Sequence, residues 1–573
     1  MAMRTNVADH LRQLYPHLDT EAIDQLVTRV CEAAGVDPDA TVAASHSPLP
    51  GADEVTLITY ASTVSSADGG PHLHALTTFC RDHLDGVFST VHVLPFFPAS
   101  SDGGFAVVDY RQVAEDLGDW HDLAELAGSG SLMVDLVANH GSSQSEWFKQ
   151  FQADQAPGRD YFVTADPDAD LSLVTRPRTH PLLRPTETPA GERHVWANFS
   201  WDQVDFDFSN PDVLVEFASI IGFYLEQGAD RIRLDAIAYL WKRIGTTSIH
   251  LPETHQVVKL MRLLAVARNP RALIITETNV PHAENISYFG DSDEAHVVYN
   301  FTLAPMIVWS LVIADASAIT TWLRELVPAP AGTTFLNFLA THDGLGLRPV
   351  EDMIAFDDLR PMIDQAVSVG GDYSAYSTAD GPRPYELNVS LADLLAGPNG
   401  ETLERYLTAH ALLMSLQGIP AIYMHSMLAS PGDLEAVAAT GAKRSINRSR
   451  VPIDEAIAAI SSGWRAEVFA RMSDLIRVRR RHKAFDPVSP QQVHQLHPKA
   501  VVVERGRDDT AIMAVHNMSG RDIELNIPAE FVAGASEPVE LVDIITNEPV
   551  TPQLKLAPWQ ARWISRSASE NQA

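Results

Sequence analysis

Short apolar runs alternate with longer amphipathic stretches along most of the chain, starting near residue 53. The amphipathic stretches, for example Leu214–Leu225 and His255–Val266, repeat apolar residues at the spacing of a helix. The apolar runs have the length of buried strands, and the eight predicted strands are Val55–Tyr60, Val91–Phe97, Leu132–Val137, Ile232–Leu234, Leu273–Thr276, His296–Phe301, Thr334–Ala340 and Ala421–His425. Eight strand-then-helix units predict an α/β fold, a (β/α)8 TIM barrel.

The remaining segments depart from this alternation and predict the domain organisation. Residues 1–49 carry helical periodicity and predict an N-terminal helical extension. The catalytic barrel is expected to span residues 50–491, with two inserted loop domains: residues 142–201 after the third strand and residues 345–400 after the seventh. Residues 492–573 contain runs that alternate like half-buried strands and predict a C-terminal antiparallel β-domain.

Composition narrows the possible partners. The formal net charge is −32, because 74 acidic residues outweigh 42 Lys and Arg. So acidic a chain is a poor partner for nucleic acid or an anionic membrane. No signal peptide, membrane span or disulfide framework is evident, so we expect a cytoplasmic protein. Any anionic ligand must be held by local cations.

The fourth predicted strand ends in a cation and an acid. Arg233 and Asp235 are two residues apart, so both side chains point to the same side of the strand. A guanidinium beside a carboxylate keeps it ionised and oriented, as a carboxylate nucleophile requires. Taken alone, the pair is more typical of a structural salt bridge at a strand end.

Further acids and two histidines follow other predicted strands. Glu277 ends the fifth strand, Asp343 follows the seventh, and His140 and His342 follow the third and seventh. Catalytic groups of a TIM barrel lie at these strand ends. Neighbouring strands are about 4.8 Å apart, which suits the roughly 5–5.5 Å carboxyl separation of a retaining glycosidase. Asp235 and Glu277 are therefore predicted to flank one glycosidic bond.

Four segments resemble the conserved regions of the α-amylase family, glycoside hydrolase family 13: Asp135…Asn139-His140, Arg233…Asp235, Glu277 and His342-Asp343. The resemblance implies that Asp235 is the nucleophile, Glu277 the acid/base and Asp343 the stabiliser of the transition state. Asn139 matches a calcium-ligand position of many amylases. We favour a structural hydrogen bond there and predict no metal, because the rest of such a site is not apparent.

Other segments are similar to the sucrose phosphorylase group within that family: Ser101-Asp102-Gly103-Gly104-Phe105, Thr175-Arg176-Pro177-Arg178, Phe199–Asp205 and Arg444–Arg448. The resemblance implies that an Asp102–Arg444 pair closes the pocket around one glucose, that Phe105 is an apolar platform, and that Arg178 binds phosphate. It also implies further contacts to the substrate from His140, Phe199, Gln203, Arg233, Tyr239 and His342.

Within this group the chain looks like the glucosylglycerate phosphorylases, through Ile274–His282, Ala340–Leu347 and Arg383–Asn388. Sucrose phosphorylases carry an acid near the position of Arg383. An arginine supplies the fork that a glycerate carboxylate would bind, so Arg383 and Tyr385 are acceptor candidates. The expected activity is phosphorolysis of 2-O-α-glucosyl-glycerate to α-glucose 1-phosphate and glycerate, through a covalent glucosyl-enzyme.

Several alternatives remain open from the sequence. Sucrose, glucosylglycerol and sucrose 6-phosphate phosphorylases share the glucose-binding half, and a retaining α-glucosidase would use water as the acceptor. A non-catalytic barrel subunit is disfavoured because Asp235, Glu277 and Asp343 are all present. We expect a small glucoside and inorganic phosphate as substrates and no bound cofactor. The sequence does not indicate the oligomeric state.

Overall fold

The eight predicted strands form one closed parallel barrel in the computed structural model, which describes residues 3–41, 49–66, 69–178, 180–378, 381–397, 399–532 and 540–567. Each strand pairs with its neighbour in the chain, and β1 also pairs with β8. The strands are β1 Thr56–Thr59, β2 Thr90–Val93, β3 Ser131–Leu136, β4 Ala229–Leu234, β5 Leu273–Thr276, β6 Val297–Tyr299, β7 Thr334–Phe338 and β8 Ile419–Tyr423. The predicted TIM barrel is therefore confirmed.

Several strand boundaries differ from the prediction; β6 and β7, for example, end at Tyr299 and Phe338 rather than at Phe301 and Ala340. Two further differences have a local cause. β2 ends at Val93 rather than at Phe97, since Pro95 has no backbone N–H to continue a ladder. β8 lies two residues earlier than predicted and runs directly into the helix Met424–Met427, which contains His425. Neither difference moves a candidate catalytic residue.

Helices surround the barrel, and the two N-terminal helices pack on its outer layer. Met3–Leu14 packs against Pro252–Arg268, and Thr20–Ala33 packs against Pro211–Glu226. The other helices of eight or more residues are His72–His83, Trp120–Ala127, Leu303–Ile313, Ser317–Glu325, Phe356–Ser368, Leu403–Ser415, Ile453–Ser461 and Gly463–Arg480. Within the described part of the chain, no helix is long and apolar enough to cross a membrane.

Both long insertions contain a β-hairpin. After β3, the helix Glu146–Gln152 is followed by the hairpin Leu183–Thr188 and Gly191–Trp196. After β7, the strands Asp372–Thr378 and Gly381–Asn388 form a hairpin, which we call the acceptor hairpin. Because both insertions leave the C-terminal ends of barrel strands, they contribute to the rim where the candidate site lies.

The C-terminal segment is antiparallel. Six strands form one sheet, and a separate pair lies beside it. The sheet contains Gln491–His494, Ala500–Arg505, Ile512–Asn517, Ala561–Ser567, Glu540–Asp543 and Glu548–Val550, and the pair is Ile523–Asn526 with Gln553–Leu556. Arg505 donates to the carbonyl of Ser415, which ties this sheet to the barrel.

Candidate active site

Asp235 and Glu277 are neighbours on the barrel rim. Leu234 of β4 is paired with Thr276 of β5, so each acid is the first residue beyond its strand. The backbone ladder continues through both: the Asp235 N–H donates to Leu136 at 3.2 Å, and the Glu277 N–H donates to Leu234 at 3.1 Å. This register fixes the separation of the two acids through main-chain hydrogen bonds rather than through a mobile loop.

Arg233 joins the acids of three strands. Its guanidinium donates to Asp235 at 2.8 Å and to the fully buried Asp135, and it lies 3.8 Å from Glu277. The other oxygen of Asp135 lies 2.8 Å from Nε2 of His92 on β2. Asp135 thus holds Arg233 in place, and charge-assisted hydrogen bonds of this kind fix both the orientation and the positive charge of the guanidinium.

The turn after Asp235 presents a backbone donor to Glu277. Ala236 adopts a left-handed conformation with φ of 48°, which is strained for a residue with a Cβ. In this conformation the Ala236 N–H donates to Oε2 of Glu277 at 2.9 Å. This hydrogen bond orients the Glu277 carboxyl.

The surroundings of Asp235 and Glu277 affect the protonation of the two carboxyls differently. Burial raises the pKa of both Asp235 and Glu277, and the charge of Arg233 opposes the rise. Because the guanidinium lies 2.8 Å from Asp235 and 3.8 Å from Glu277, it favours the ionised form of Asp235. Of the two carboxyls, Asp235 is the one that Arg233 stabilises more directly as an anion, as expected of a nucleophile beside a general acid.

Asp343 is held ionised by two arginines. Its Oδ1 lies 2.6 Å from Arg444 and 3.3 Å from Arg448. Burial opposes its ionisation, but these positive charges outweigh burial and hold the pKa of Asp343 well below its usual value. A carboxylate that remains charged in this position can accept hydrogen bonds from sugar hydroxyls and stabilise positive charge nearby.

The predicted Asp102–Arg444 pair is not formed. Asp102 is instead 3.4 Å from Arg448, and Arg444 makes a two-bond pair with Glu386, at 3.0 and 2.6 Å. Arg444 lies within the 3-10 turn Lys443–Asn447 and Arg448 follows it directly, and only Arg448 reaches across to Asp102. The loop geometry leaves no room for a side chain at Gly103, where φ is 62° and a Cβ would lie 2.6 Å from the Arg448 guanidinium.

Aromatic rings and neutral histidines line the part of the cavity near Asp102. Phe105 stacks on His342 with ring centres 4.8 Å apart, and His140 lies 4.9 Å from the ring of Phe199. Burial lowers the pKa of His140 and His342 to about 3, so both are neutral at pH 7. Gln203 links His140 to Asp102, at 3.1 and 3.2 Å. Apolar faces beside fixed polar groups suit one pyranose ring.

These groups open into one cavity of about 430 Å³. Its walls also include residues of both insertions, namely Arg176, Arg178, Ala375, Tyr376, Tyr385 and Glu386, together with Tyr239 and Arg348. Arg178 donates to the Tyr385 hydroxyl at 3.3 Å, so the two insertions meet over the site. The cavity therefore joins a glucose-sized part to a part rich in arginine.

Arg383 does not line this cavity, contrary to the prediction that it faces the acceptor. Its guanidinium lies 5.6 Å from the ring centre of Phe356. The register of the acceptor hairpin shifts at Ser374 and Ala375, which leaves Tyr385 as an extra residue. A bulge of this kind redirects the side chains beside it, and it places Tyr385 and Glu386 in the cavity wall.

Some residues in and around the cavity are not singled out by the sequence pattern. Arg448 and Glu386 lie inside motifs that were recognised, yet the ion pairs that they make do not follow from spacing. Arg176 lies two residues before Arg178, the predicted phosphate ligand. Arg348 follows the segment Ala340–Leu347 by one residue. Nothing in its local pattern marks it, because its position depends on how the chain turns after β7.

Asn139 makes a structural hydrogen bond. Its side-chain oxygen accepts from the ammonium of Lys242 at 2.8 Å, and Lys242 also lies 3.0 Å from the buried carboxylate of Asp205. The Asn139 amide lies 3.0 Å from Nδ1 of His140. Within the described residues, no group of three or more His, Cys, Asp or Glu side chains is arranged to hold a metal ion. The Lys242 ammonium supplies the positive charge in this cluster.

Replacing Lys242 with methionine is expected to destabilise the protein by about 3–5 kcal/mol, because it leaves a buried carboxylate without its counter-ion. Burial raises the pKa of Asp205 and lowers that of Lys242, so each charge depends on the other. Denaturant unfolding would measure the loss. The matched control is the double change Lys242→Met with Asp205→Asn, which should recover much of the loss. A loss of less than about 1 kcal/mol in the single variant would contradict a tightly coupled pair.

Comparison with known proteins agrees with this geometry. Residues 85–326 match the family model of the α-amylase catalytic domain. The chain is 41% identical to the glucosylglycerate phosphorylase of Allomeiothermus silvanus over 520 residues, covering 89% of this chain and 91% of that protein. It is 36% identical to the Escherichia coli glucosylglycerate phosphorylase over 573 residues, covering 98% of this chain and all of that protein.

A solved structure shows the same fold. The sucrose 6F-phosphate phosphorylase of Thermoanaerobacter thermosaccharolyticum matches with a TM-score of 0.73 at 23% identity, over 82% of this chain and 96% of that chain. The sequence matches extend over nearly the whole length of this chain and include the four barrel segments that carry the acids. The protein belongs to glycoside hydrolase family 13, the α-amylase family, and within it to the group of glucosylglycerate and sucrose phosphorylases.

Proposed function

We propose that the protein is a retaining α-glucosyl phosphorylase that converts 2-O-α-glucosyl-glycerate and inorganic phosphate to α-glucose 1-phosphate and glycerate. The observation that carries this proposal is the shared cavity, in which the Asp235–Glu277 pair opens toward Arg176, Arg178 and Arg348. Hydrolysis by water needs no such cations. A reaction that takes phosphate and releases glycerate places two anions in turn beside the same acids.

In the first step, Asp235 attacks the anomeric carbon, and the bond from that carbon to the glycerate oxygen breaks. Glu277 gives its proton to the departing oxygen, and a β-glucosyl ester of Asp235 forms. Arg233 keeps Asp235 ionised before the attack, at 2.8 Å. Asp343 remains charged beside its two arginines and stabilises the positive charge that develops on the sugar ring.

In the second step, phosphate enters the space that glycerate has left. A phosphate oxygen attacks the anomeric carbon from the opposite face, the ester to Asp235 breaks, and ionised Glu277 takes the phosphate proton. Two inversions give net retention, so the product is the α-anomer. We propose that the reaction needs no other cofactor, and we place it in the cytoplasm, where a charged sugar phosphate is retained.

Arg178 is the candidate for binding phosphate. It reaches the cavity from the insertion after β3 and is fixed by the Tyr385 hydroxyl at 3.3 Å. Changing Arg178 to alanine is expected to raise the KM for phosphate by about 30- to 100-fold, the value of one or two charge-assisted hydrogen bonds. Release of free glucose should rise in parallel, because water then competes for the glucosyl-enzyme. An unchanged KM for phosphate would remove Arg178 from the phosphate site.

The test of the proposed function is a substrate panel. Glucosylglycerate, sucrose, glucosylglycerol and sucrose 6-phosphate are each incubated with and without phosphate, and glucose 1-phosphate and glucose are measured. The proposal expects phosphate-dependent glucose 1-phosphate from glucosylglycerate in clear excess over the other three. Release chiefly from sucrose would keep the mechanism and discard the glycerate acceptor. Equal glucose release with and without phosphate would make the protein a hydrolase.

A further inference from the structure

We propose that Arg348 binds the carboxylate of the acceptor and so selects glycerate over neutral acceptors. This inference rests on the proposed function and names a specificity residue for it. Four arginines line the cavity within the described residues: Arg176, Arg178, Arg348 and Arg444. They differ in whether their guanidinium groups are already engaged by the protein.

Three of these arginines have protein partners. Arg444 is paired with Asp343 and Glu386. Arg178 donates to the Tyr385 hydroxyl, and Arg176 donates to the carbonyl of His180.

Arg348 differs from them. No hydrogen bond or ion pair joins its side chain to any residue that the structure describes. An unpaired guanidinium in the wall of a substrate cavity is available for an anionic group of the ligand. In a chain with a net charge of −32, such a cation is a local exception to the overall field.

The backbone holds Arg348 firmly at the cavity. Leu345 and Gly346 pair with Leu387 and Glu386 of the acceptor hairpin, and the Leu347 N–H donates to Tyr385 at 2.8 Å. Arg348 then begins the 3-10 turn Arg348–Val350, whose Val350 is fully buried. A side chain that projects from an anchored turn loses less freedom on binding than one from a mobile loop.

Arg348 lines the same cavity as Tyr239 and Glu277, the residue that protonates the departing oxygen. Burial raises the pKa of Tyr239 to about 12, and among the charges that act on this hydroxyl are Arg348, which lowers the pKa, and Glu277, which raises it. The Tyr239 hydroxyl is thus within electrostatic reach of both groups. In glycerate, the carboxylate is attached to the carbon that bears the reacting oxygen. A carboxylate so close to the proton donor requires a cation on the same side of the cavity.

A cation at Arg348 explains how a cavity lined by carboxylates can bind an acceptor that itself carries a carboxylate. Asp235, Glu277, Asp343 and Glu386 all line the cavity, and their charges oppose a carboxylate ligand. Asp343 and Glu386 are matched by Arg444, so they take no cation from the acceptor. Arg348 supplies the positive charge that the acceptor carboxylate needs, whereas Arg383 does not line the cavity.

The experiment measures synthesis from glucose 1-phosphate with two acceptors that differ chiefly in charge, glycerate and glycerol. Arg348→Met is compared with the wild-type protein, with Arg348→Lys, and with the matched control Arg383→Met. Arg348→Met should lower kcat/KM for glycerate by about 100-fold and change kcat/KM for glycerol by about threefold or less. Lysine should recover only part of the loss, since it cannot make a two-bond fork. Arg383→Met should leave the ratio of the two acceptors unchanged.

Three results would overturn the inference. Equal losses with glycerate and glycerol would show that Arg348 serves the donor or the fold. An unchanged preference in Arg348→Met would show that it does not touch the acceptor. Loss of the preference in Arg383→Met instead would assign the carboxylate to the acceptor hairpin. If the wild-type protein uses other acceptors but not glycerate, the proposed function fails, and that result is distinct from these three.

Discussion

Replacing Asp235 with asparagine is expected to lower kcat for phosphorolysis by about 100,000-fold, because the attacking carboxylate is lost while the shape of the side chain is kept. Arg233 still has Asp135 as a partner, so its position should hold. Thermal unfolding should therefore change little. The measurement is release of glucose 1-phosphate under saturating substrate, with the unfolding midpoint as the check on folding.

A second variant at the same position separates nucleophile loss from damage to the site. Asp235→Ala opens space beside the anomeric carbon, and added azide can attack there from the face that Asp235 used. The expected product from an activated α-glucosyl donor is the β-glucosyl azide, formed by a single inversion. Retention of more than about 1% of the activity in Asp235→Asn would contradict the assignment. An α-glucosyl azide from Asp235→Ala would also contradict it.

Replacing Glu277 with glutamine is expected to lower kcat/KM for glucosylglycerate by about 1,000- to 10,000-fold, since glycerate is a poor leaving group without protonation. α-Glucosyl fluoride needs no proton donor, so glycosylation from it should fall by about tenfold or less. The ratio between the two substrates is the measurement. Equal losses with both substrates would place the proton donor elsewhere.

The pH dependence should follow the same residue. Burial raises the pKa of Glu277, with Arg233 opposing the rise. The acid must be protonated to act, so kcat/KM for glucosylglycerate is present below this pKa and falls as pH increases through it. With α-glucosyl fluoride, which needs no proton donor, the descending limb that belongs to Glu277 should be absent in both the wild-type protein and Glu277→Gln. A limb that persists would belong to another group.

The barrel and its acids could be predicted because local patterns determine them. Eight apolar runs alternate with amphipathic helices, and parallel strands expose their C-terminal ends on one rim. Asp235 and Glu277 each follow directly after such a run, and the register of β4 with β5 places them side by side. Pro95 and the early helix after β8 explain two of the differences in strand boundaries. The predicted runs also continue two residues beyond the observed ends of β6 and β7.

The ion pairs of the loops could not be predicted, because they depend on conformation between elements. Arg444 and Arg448 are four residues apart, and the sequence does not show which one reaches Asp102. The bulge at Tyr385 turns the acceptor hairpin so that Arg383 lies over Phe356 instead of facing the cavity. The sequence shows which loop residues are charged and roughly where they lie. The partner of each charge depends on the conformation of the folded loops.

The anomeric form of the glucose 1-phosphate product tests the proposed double displacement most directly. Purified protein is mixed with 2-O-α-glucosyl-glycerate and phosphate, and the reaction is followed by NMR; the phosphate on the anomeric oxygen prevents any spontaneous change of anomer in glucose 1-phosphate. We expect α-glucose 1-phosphate and glycerate to appear together in equal amounts, with little free glucose. β-Glucose 1-phosphate would show a single displacement without a glucosyl ester on Asp235, and that result would contradict the double displacement.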